Sequence, residues 1–162
     1  MKVVLPDDIQ GRMRLLDFLN LVTKFDGKTI KLPVLVDLAN DTMKLQVHGY
    51  QLILDTGADV TALTEEFLTK NGYSHYQKSG GKKRTVTGEA ELLTCEINGM
   101  TIANQFKISK IKVDVLSGWG EHAVVGVIGM DILSRLTFIL SHEHKKFMLS
   151  AKPLPELATL FT

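Results

Sequence analysis

Short extended segments separated by turn residues fill most of the chain after residue 30, and this pattern limits the fold more than any other. Turn signals stand at Gly49, Gly88 and Asn98-Gly99, and Asn-Gly in particular favours a tight hairpin. Strands are predicted over 30–38, 43–48, 50–54, 90–97, 100–108, 110–116, 137–140 and 146–149. Many short strands with glycine-rich turns are typical of a barrel or sandwich, so we predict a mainly β fold.

Three helices are also predicted. The first covers 7–25, where apolar residues recur at helical spacing: Ile9, Met13, Leu16 and Leu19. It either docks on its own domain or contacts a partner, and docking is favoured. The second covers 65–71, because Thr64 suits its N-cap and Gly72 follows its end. The third covers 131–136. Outside these helices, the basic segment 79–84 is predicted to be a solvated loop.

Length and composition indicate a single hydrophobic core, and the charge balance does not point to a highly charged binding partner. The chain has 162 residues, of which 44% are hydrophobic, enough for one domain. We divide it into a helical extension (1–29), a β domain (30–151) and a tail (152–162). Nineteen basic and eighteen acidic residues give no electrostatic reason for binding nucleic acid or an anionic membrane. Cys95, the single cysteine, is expected to be a buried apolar residue. Without a visible secretory signal or membrane span, the cytoplasm is the expected compartment.

The triplet Asp55-Thr56-Gly57 occurs once and directly follows the apolar run 51–54. The triplet alone is weak evidence for a catalytic site. An Asp-Thr-Gly or Asp-Ser-Gly triplet arises by chance in about one chain of this size in ten, and Asp and Gly also form ordinary turns. A second apolar run, 124–133, lies far downstream and contains Gly129. The two runs together give the triplet its significance.

Residues 54–59 and 127–133 together resemble the retropepsin-like aspartic proteases, over roughly 30–150 of this chain. The resemblance implies a closed β-barrel with a flap hairpin, and one short helix after Gly129. It also implies that two chains form a homodimer, since each supplies one Asp55 to a shared pair of carboxylates. Retroviral members usually have arginine where this chain has Met130, so the ion pair that arginine makes with the residue matching Asp59 has no counterpart here.

The resemblance assigns roles to individual residues. It implies that Asp55, Thr56 and Gly57 form the catalytic loop, with Thr56 hydrogen-bonded across the dimer axis. The residues it places against a peptide or protein substrate are Ala58, Asp59, Val86, Thr87, Gly88 and Ile128, of which 86–88 belong to the flap. Asp59 is either a substrate contact or a structural acid. Asp131 is expected to be structural, because no Thr-Gly follows it.

Several alternatives stay open at this point. The domain is an aspartic endopeptidase, or a catalytically silent module that dimerises or binds peptides, or a protease whose N-terminal segment blocks its cleft. No cofactor and no metal are expected, because His142-Glu143-His144 has no further ligand nearby and is predicted to be a solvated turn. No Gly-x-Ser-x-Gly sequence points to a serine nucleophile.

Overall fold

The computed structural model describes residues 23–24, 28–38, 45–74, 76–85, 88–118, 123–143 and 145–150. The chain divides into two compact units, of which the larger is Lys31–Ile132 and the smaller contains the described residues outside that range. The strands are β1 Thr23–Lys24, β2 Lys31–Asp37, β3 Gln46–Leu54, β4 Ala62–Thr64, β5 Gln77–Thr85, β6 Gly88–Ile102, β7 Phe106–Leu116, β8 Val124–Ile128, β9 Thr137–Ser141 and β10 Lys146–Ser150. The helices are α1 Glu65–Lys70 and α2 Met130–Leu133.

The larger unit is a closed barrel, which confirms the predicted mainly β fold. Its strands follow the order β2-β3-β8-β4-β7-β6-β5, and a further pairing of β2 with β6 closes six of them into a ring. Strand β5 lies outside the ring and pairs with β6 alone among the described strands. Side chains of β2 alternate between inside and outside, so Leu32, Val34 and Val36 enter the core. Other strands add Leu52, Leu63, Ile97, Ile102 and Ile128.

Strand β3 continues through Gly49, where the sequence predicted a turn between two strands. The pairing of β2 with β3 shifts register between Val34 and Val36, which places an extra residue on β3. Gly49 has a φ of +83°, a conformation that glycine adopts without strain. The prediction of two strands was wrong because glycine in this position forms a β-bulge instead of reversing the chain.

Strand β6 likewise continues through Asn98-Gly99, so the predicted hairpin turn there was wrong. A side chain at Gly99 would place its Cβ 2.4 Å from the backbone oxygen of Ile108. Glycine at this position therefore permits close strand packing. The chain reverses after Ile102, where Ala103 and Asn104 have φ values of 51° and 57°.

The basic segment 79–84 was predicted to be a loop, but it lies within β5. Strands β5 and β6 form the predicted hairpin, in which Thr85 pairs with Gly88. Val86 and Thr87, between those two residues, lie outside the described part of the chain. The prediction of a loop failed because Lys82, Lys83 and Arg84 pair with β6, and this pairing outweighed the low strand propensity of lysine.

The helices differ from prediction mainly at their ends. Helix α1 has the predicted N-cap, since the Thr64 hydroxyl accepts a hydrogen bond from the Phe67 amide at 3.3 Å. Helix α2 begins one residue earlier and ends three residues earlier than the predicted 131–136. The predicted helix 7–25 is wrong at its end, because Thr23–Lys24 forms β1. Residues 7–22 lie outside the described residues.

The smaller unit contains a three-stranded sheet in the order β1-β10-β9. Strands β9 and β10 form the hairpin predicted for 137–149, with Phe147 opposite Leu140. Phe147 is fully buried, and its ring lies 5.9 Å from the ring of Phe138. No helix among the described residues is long and apolar enough to cross a membrane.

Candidate active site

Asp55 begins the loop that joins β3 to β4, and this loop fixes its carboxylate. The Gly57 amide donates to Asp55 Oδ1 at 2.9 Å, while the Ala58 amide donates to the Asp55 carbonyl at 3.2 Å. A side chain at residue 57 would place its Cβ 3.2 Å from that same Oδ1. Asp55 is half-buried, and Thr56 and Gly57 are exposed. The loop therefore presents a carboxylate of fixed orientation at the surface of one chain.

Strand β8 holds the loop because it lies between the two strands that the loop connects. It pairs in parallel with β3 and antiparallel with β4. The Asp55 amide donates to the Ile128 carbonyl at 3.1 Å. Beyond β8, the amides of Met130 and Asp131 donate to the carbonyls of Ala58 and Asp59 at 2.8 and 3.0 Å. The backbone of residues 55–59 is thus bonded to residues 128–131 at three points.

Thr61 and Asp131 add a side-chain connection between the same two segments. Asp131 Oδ1 accepts from the Thr61 amide at 2.9 Å, the Thr61 hydroxyl at 2.7 Å and the Ile132 amide at 3.0 Å. The Thr61 oxygen in turn accepts from the Gly129 amide at 3.1 Å. With its carboxylate engaged in this way, Asp131 has the structural role that the sequence predicted. The role of Thr61 was not predicted from the sequence. The only signal for it was that a polar residue stands next to an apolar strand.

Two glycines of the β8 region allow the backbones to approach this closely. A Cβ on Gly126 would lie 2.0 Å from the Ala62 oxygen, and a Cβ on Gly129 would lie 2.5 Å from the carbonyl carbon of Val60. Both positions therefore exclude any larger residue without movement of the neighbouring backbone. This explains why the second apolar run contains glycine where it faces Val60 and Ala62.

The predicted site residues divide into three groups. Asp55, Thr56, Gly57, Ala58 and Asp59 lie together in the loop. The Ile128 side chain is fully buried, and its backbone carbonyl is the part that contacts Asp55. The flap residues are the third group, of which Gly88 is described only as the backbone partner of Thr85, while Val86 and Thr87 lie outside the described residues.

Other reactive groups do not contribute to this loop. Burial raises the pKa of the Cys95 thiol to about 12, so the thiol stays protonated at neutral pH. In the parts of the chain that the structure describes, no three His, Cys, Asp or Glu side chains are grouped to hold a metal ion. The polar side chains that the loop itself presents are those of Asp55, Thr56 and Asp59.

Comparison with known proteins gives a family match across this site. The family model described as gag-polyprotein putative aspartyl protease matches residues 42–135, more than half of the chain. This range includes the Asp55 loop, β8 and α2. A search among curated proteins found no sequence that matches the chain.

Solved structures were also found among the matches. The crystal structure of a retropepsin-like aspartic protease from Rickettsia conorii superposes with a TM-score of 0.53 at 20% sequence identity, covering 80% of this chain and 96% of that one. The EIAV protease complexed with the inhibitor HBY-793 gives a TM-score of 0.40 at 29% identity, covering 66% of this chain and 86% of that one. The Rickettsia structure shows that the barrel has the retropepsin-like fold.

Proposed function

Because the chain belongs to the gag-polyprotein aspartyl proteases, a retropepsin-like family, we propose that it is an aspartic endopeptidase that acts as a homodimer. Each protomer contributes one Asp55, and the two carboxylates meet across a two-fold axis to form one active site. The substrate is a peptide or protein bound in an extended conformation. No metal or cofactor takes part in the proposed reaction.

The presentation of Asp55 is the observation that carries the proposal. Its Oδ1 is fixed by the Gly57 amide, and the adjacent Thr56 and Gly57 are exposed and so available to a second chain. The sequence contains the triplet once, and Asp131 is engaged by Thr61 within its own chain. A second protomer is therefore the natural source of the second catalytic carboxylate.

A pair of Asp55 carboxylates has the chemistry that peptide hydrolysis needs. Two like charges at short distance cannot both ionise cheaply, so the pair holds one proton between them. The ionised carboxylate takes a proton from a water molecule, which attacks the scissile carbonyl carbon. The protonated carboxylate donates its proton to the carbonyl oxygen. Thr56 bonds across the axis and keeps the two loops in register.

The hairpin of β5 and β6 serves as the flap that covers the substrate. An extended peptide between this hairpin and the Asp55 loop forms main-chain hydrogen bonds, as in other strand-addition complexes. Ala58 and Asp59 follow Asp55 in the same loop and line the peptide on one side. The resemblance assigns the contacts on the other side to Val86, Thr87 and Gly88.

The proposal is tested by measuring cleavage of a peptide library by the wild type and by Asp55→Asn. The substitution removes the charge but little volume, so we expect cleavage to be abolished while the fold and dimer are retained. Glu66→Gln is the matched control, because Glu66 is an exposed acid on α1, and it should cleave like wild type. Wild-type activity should fall as pH rises and the shared proton is lost. Cleavage by pure Asp55→Asn would exclude the mechanism, and peptide binding without cleavage by wild type would identify a silent binding module.

A further inference from the structure

The carboxylate of Asp59 is an exposed negative charge whose backbone is fixed beside the catalytic loop. Its carbonyl accepts from the Asp131 amide at 3.0 Å, while its side chain is exposed. Within the described part of the chain, that side chain makes no hydrogen bond and no ion pair. The loop backbone is therefore fixed, and the described part of the chain places no cation on the Asp59 carboxylate.

The residues that bond to this part of the loop, Met130 and Asp131, do not supply a cation. Met130 follows Gly129, and its amide donates to the Ala58 carbonyl at 2.8 Å, immediately before Asp59. Its side chain is 38% exposed and carries no charge. Met130 therefore leaves this exposed position without a charge.

We propose that Asp59 selects peptides that carry a lysine or arginine near the scissile bond. The inference rests on the proposed function, because it takes the Asp55 loop as the place where the peptide lies. Asp59 is the fourth residue after Asp55, so their Cα atoms are at most about 14 Å apart when the chain is fully extended. The bond from the Ala58 amide to the Asp55 carbonyl folds part of this span into a turn and shortens it. A side chain one to three residues from the scissile bond is therefore within reach.

The Asp59 carboxylate discriminates between peptides because a bound peptide shields it from water. An ion pair in open solvent contributes little, because water screens it. When a peptide and the flap cover Asp59, water is excluded and the same pair is stronger. A neutral side chain at that position leaves the covered carboxylate without a partner, and an acidic one adds repulsion. Lysine or arginine is therefore preferred.

Binding and cleavage of matched peptides test the inference with the full chain. Peptides differ at one position, Lys or Gln, which is moved over three residues on each side of the scissile bond. Binding is measured by fluorescence anisotropy on Asp55→Asn, which does not depend on cleavage, and kcat/KM on the wild type. We expect one position to favour Lys about fivefold in both measurements.

Two variants and one control show whether Asp59 causes the preference. Asp59→Asn, alone or together with Asp55→Asn, should bring the Lys/Gln ratio close to one. Met130→Arg should also lower the ratio, because it supplies a cation to Asp59 within the chain, whereas a purely structural Asp59 predicts no change. Glu66→Gln should keep the ratio. Circular dichroism and sedimentation verify that each variant folds and has the wild-type oligomeric state.

Each outcome separates this inference from the proposed function. A Lys preference in binding that depends on Asp59 supports the inference even if the wild type cleaves no peptide, a result that would refute only the endopeptidase. A ratio near one at all positions in wild type, or a preference for acidic peptides, overturns it. A Lys preference that persists in Asp59→Asn also overturns the inference. A loss of the dimer in Asp59→Asn without a change in the Lys/Gln ratio overturns it as well.

Discussion

Thr61 donates both its amide and its hydroxyl to one carboxylate oxygen of Asp131, a residue 70 positions further along the chain. The same hydroxyl oxygen accepts from the Gly129 amide. Thr61 is fully buried, so none of these bonds can be replaced by bulk water without opening the structure. This pair fixes the position of the loop that carries Asp55 relative to β8.

Thr61→Val should destabilise the protein although it keeps the shape of the side chain. The change removes a donor to Asp131 and leaves the buried Gly129 amide without an acceptor, at a cost of about 2 kcal/mol in free energy of unfolding. Urea denaturation measures the loss. The matched control is Thr69→Val on the exposed side of α1, which should cost less than about 0.5 kcal/mol. Equal effects of the two substitutions would show that the hydroxyl bonds of Thr61 contribute nothing special.

Gly129→Ala should be worse than Gly49→Ala, although only Gly49 has an unusual φ. At residue 129 the new Cβ would lie 2.5 Å from the Val60 carbonyl carbon and 2.8 Å from the Thr61 amide nitrogen. The backbones must then separate, at a cost of about 3 kcal/mol. At Gly49 there is open space, and the strain of a φ of +83° costs about 1 kcal/mol. Thermal denaturation of both variants compares them, and the reverse order would contradict this packing.

Cys95 should make the protein less stable in alkaline solution. Burial raises the pKa of its thiol from 9.0 to about 12 in the folded state. Between these values the unfolded chain loses the proton that the folded chain keeps, so the free energy of unfolding falls as pH rises above 9. Cys95→Ala should flatten this slope, measured by urea denaturation from pH 8 to 11.

Tyr73 provides the comparison for that slope. Burial is the main cause that raises its pKa above 10.0, and its hydroxyl donates to the Glu96 carbonyl. Its contribution therefore has the same sign and should persist in Cys95→Ala, although it becomes smaller because the charge of Cys95 also raises the pKa of Tyr73. An unchanged alkaline slope in Cys95→Ala would mean that the thiol is not the group responsible.

Dilution should lower the specific activity of the proposed dimer, because one chain supplies one Asp55. In one dilution series, the fraction of dimer measured by sedimentation velocity and the specific activity measured by peptide cleavage should fall together. A tandem protein with two copies joined by a flexible linker is the control, since its effective concentration does not change with dilution. Constant activity in samples that sediment as monomers would exclude a shared pair of carboxylates.

The sequence predicted those parts of the fold that depend on neighbouring residues. The β9–β10 hairpin, the Thr64 cap of α1 and the extended run before Asp55 are all found in the structure. It failed at Gly49 and Asn98-Gly99, because glycine marks bulges and close backbone contacts as well as turns. Thr61 was missed for a different reason: no local pattern indicates that a threonine will contact a carboxylate 70 residues away.

The parallel pairing of β3 with β8 also determines when the Asp55 loop can form. Its amide partner, Ile128, belongs to a strand that the chain makes long after residue 55. Pairings between such distant segments form late and slow the folding of a domain. A chain that is still being synthesised therefore carries its aspartate on an unsupported loop until β8 has docked. For the proposed protease, a partly made chain would therefore lack a formed active site.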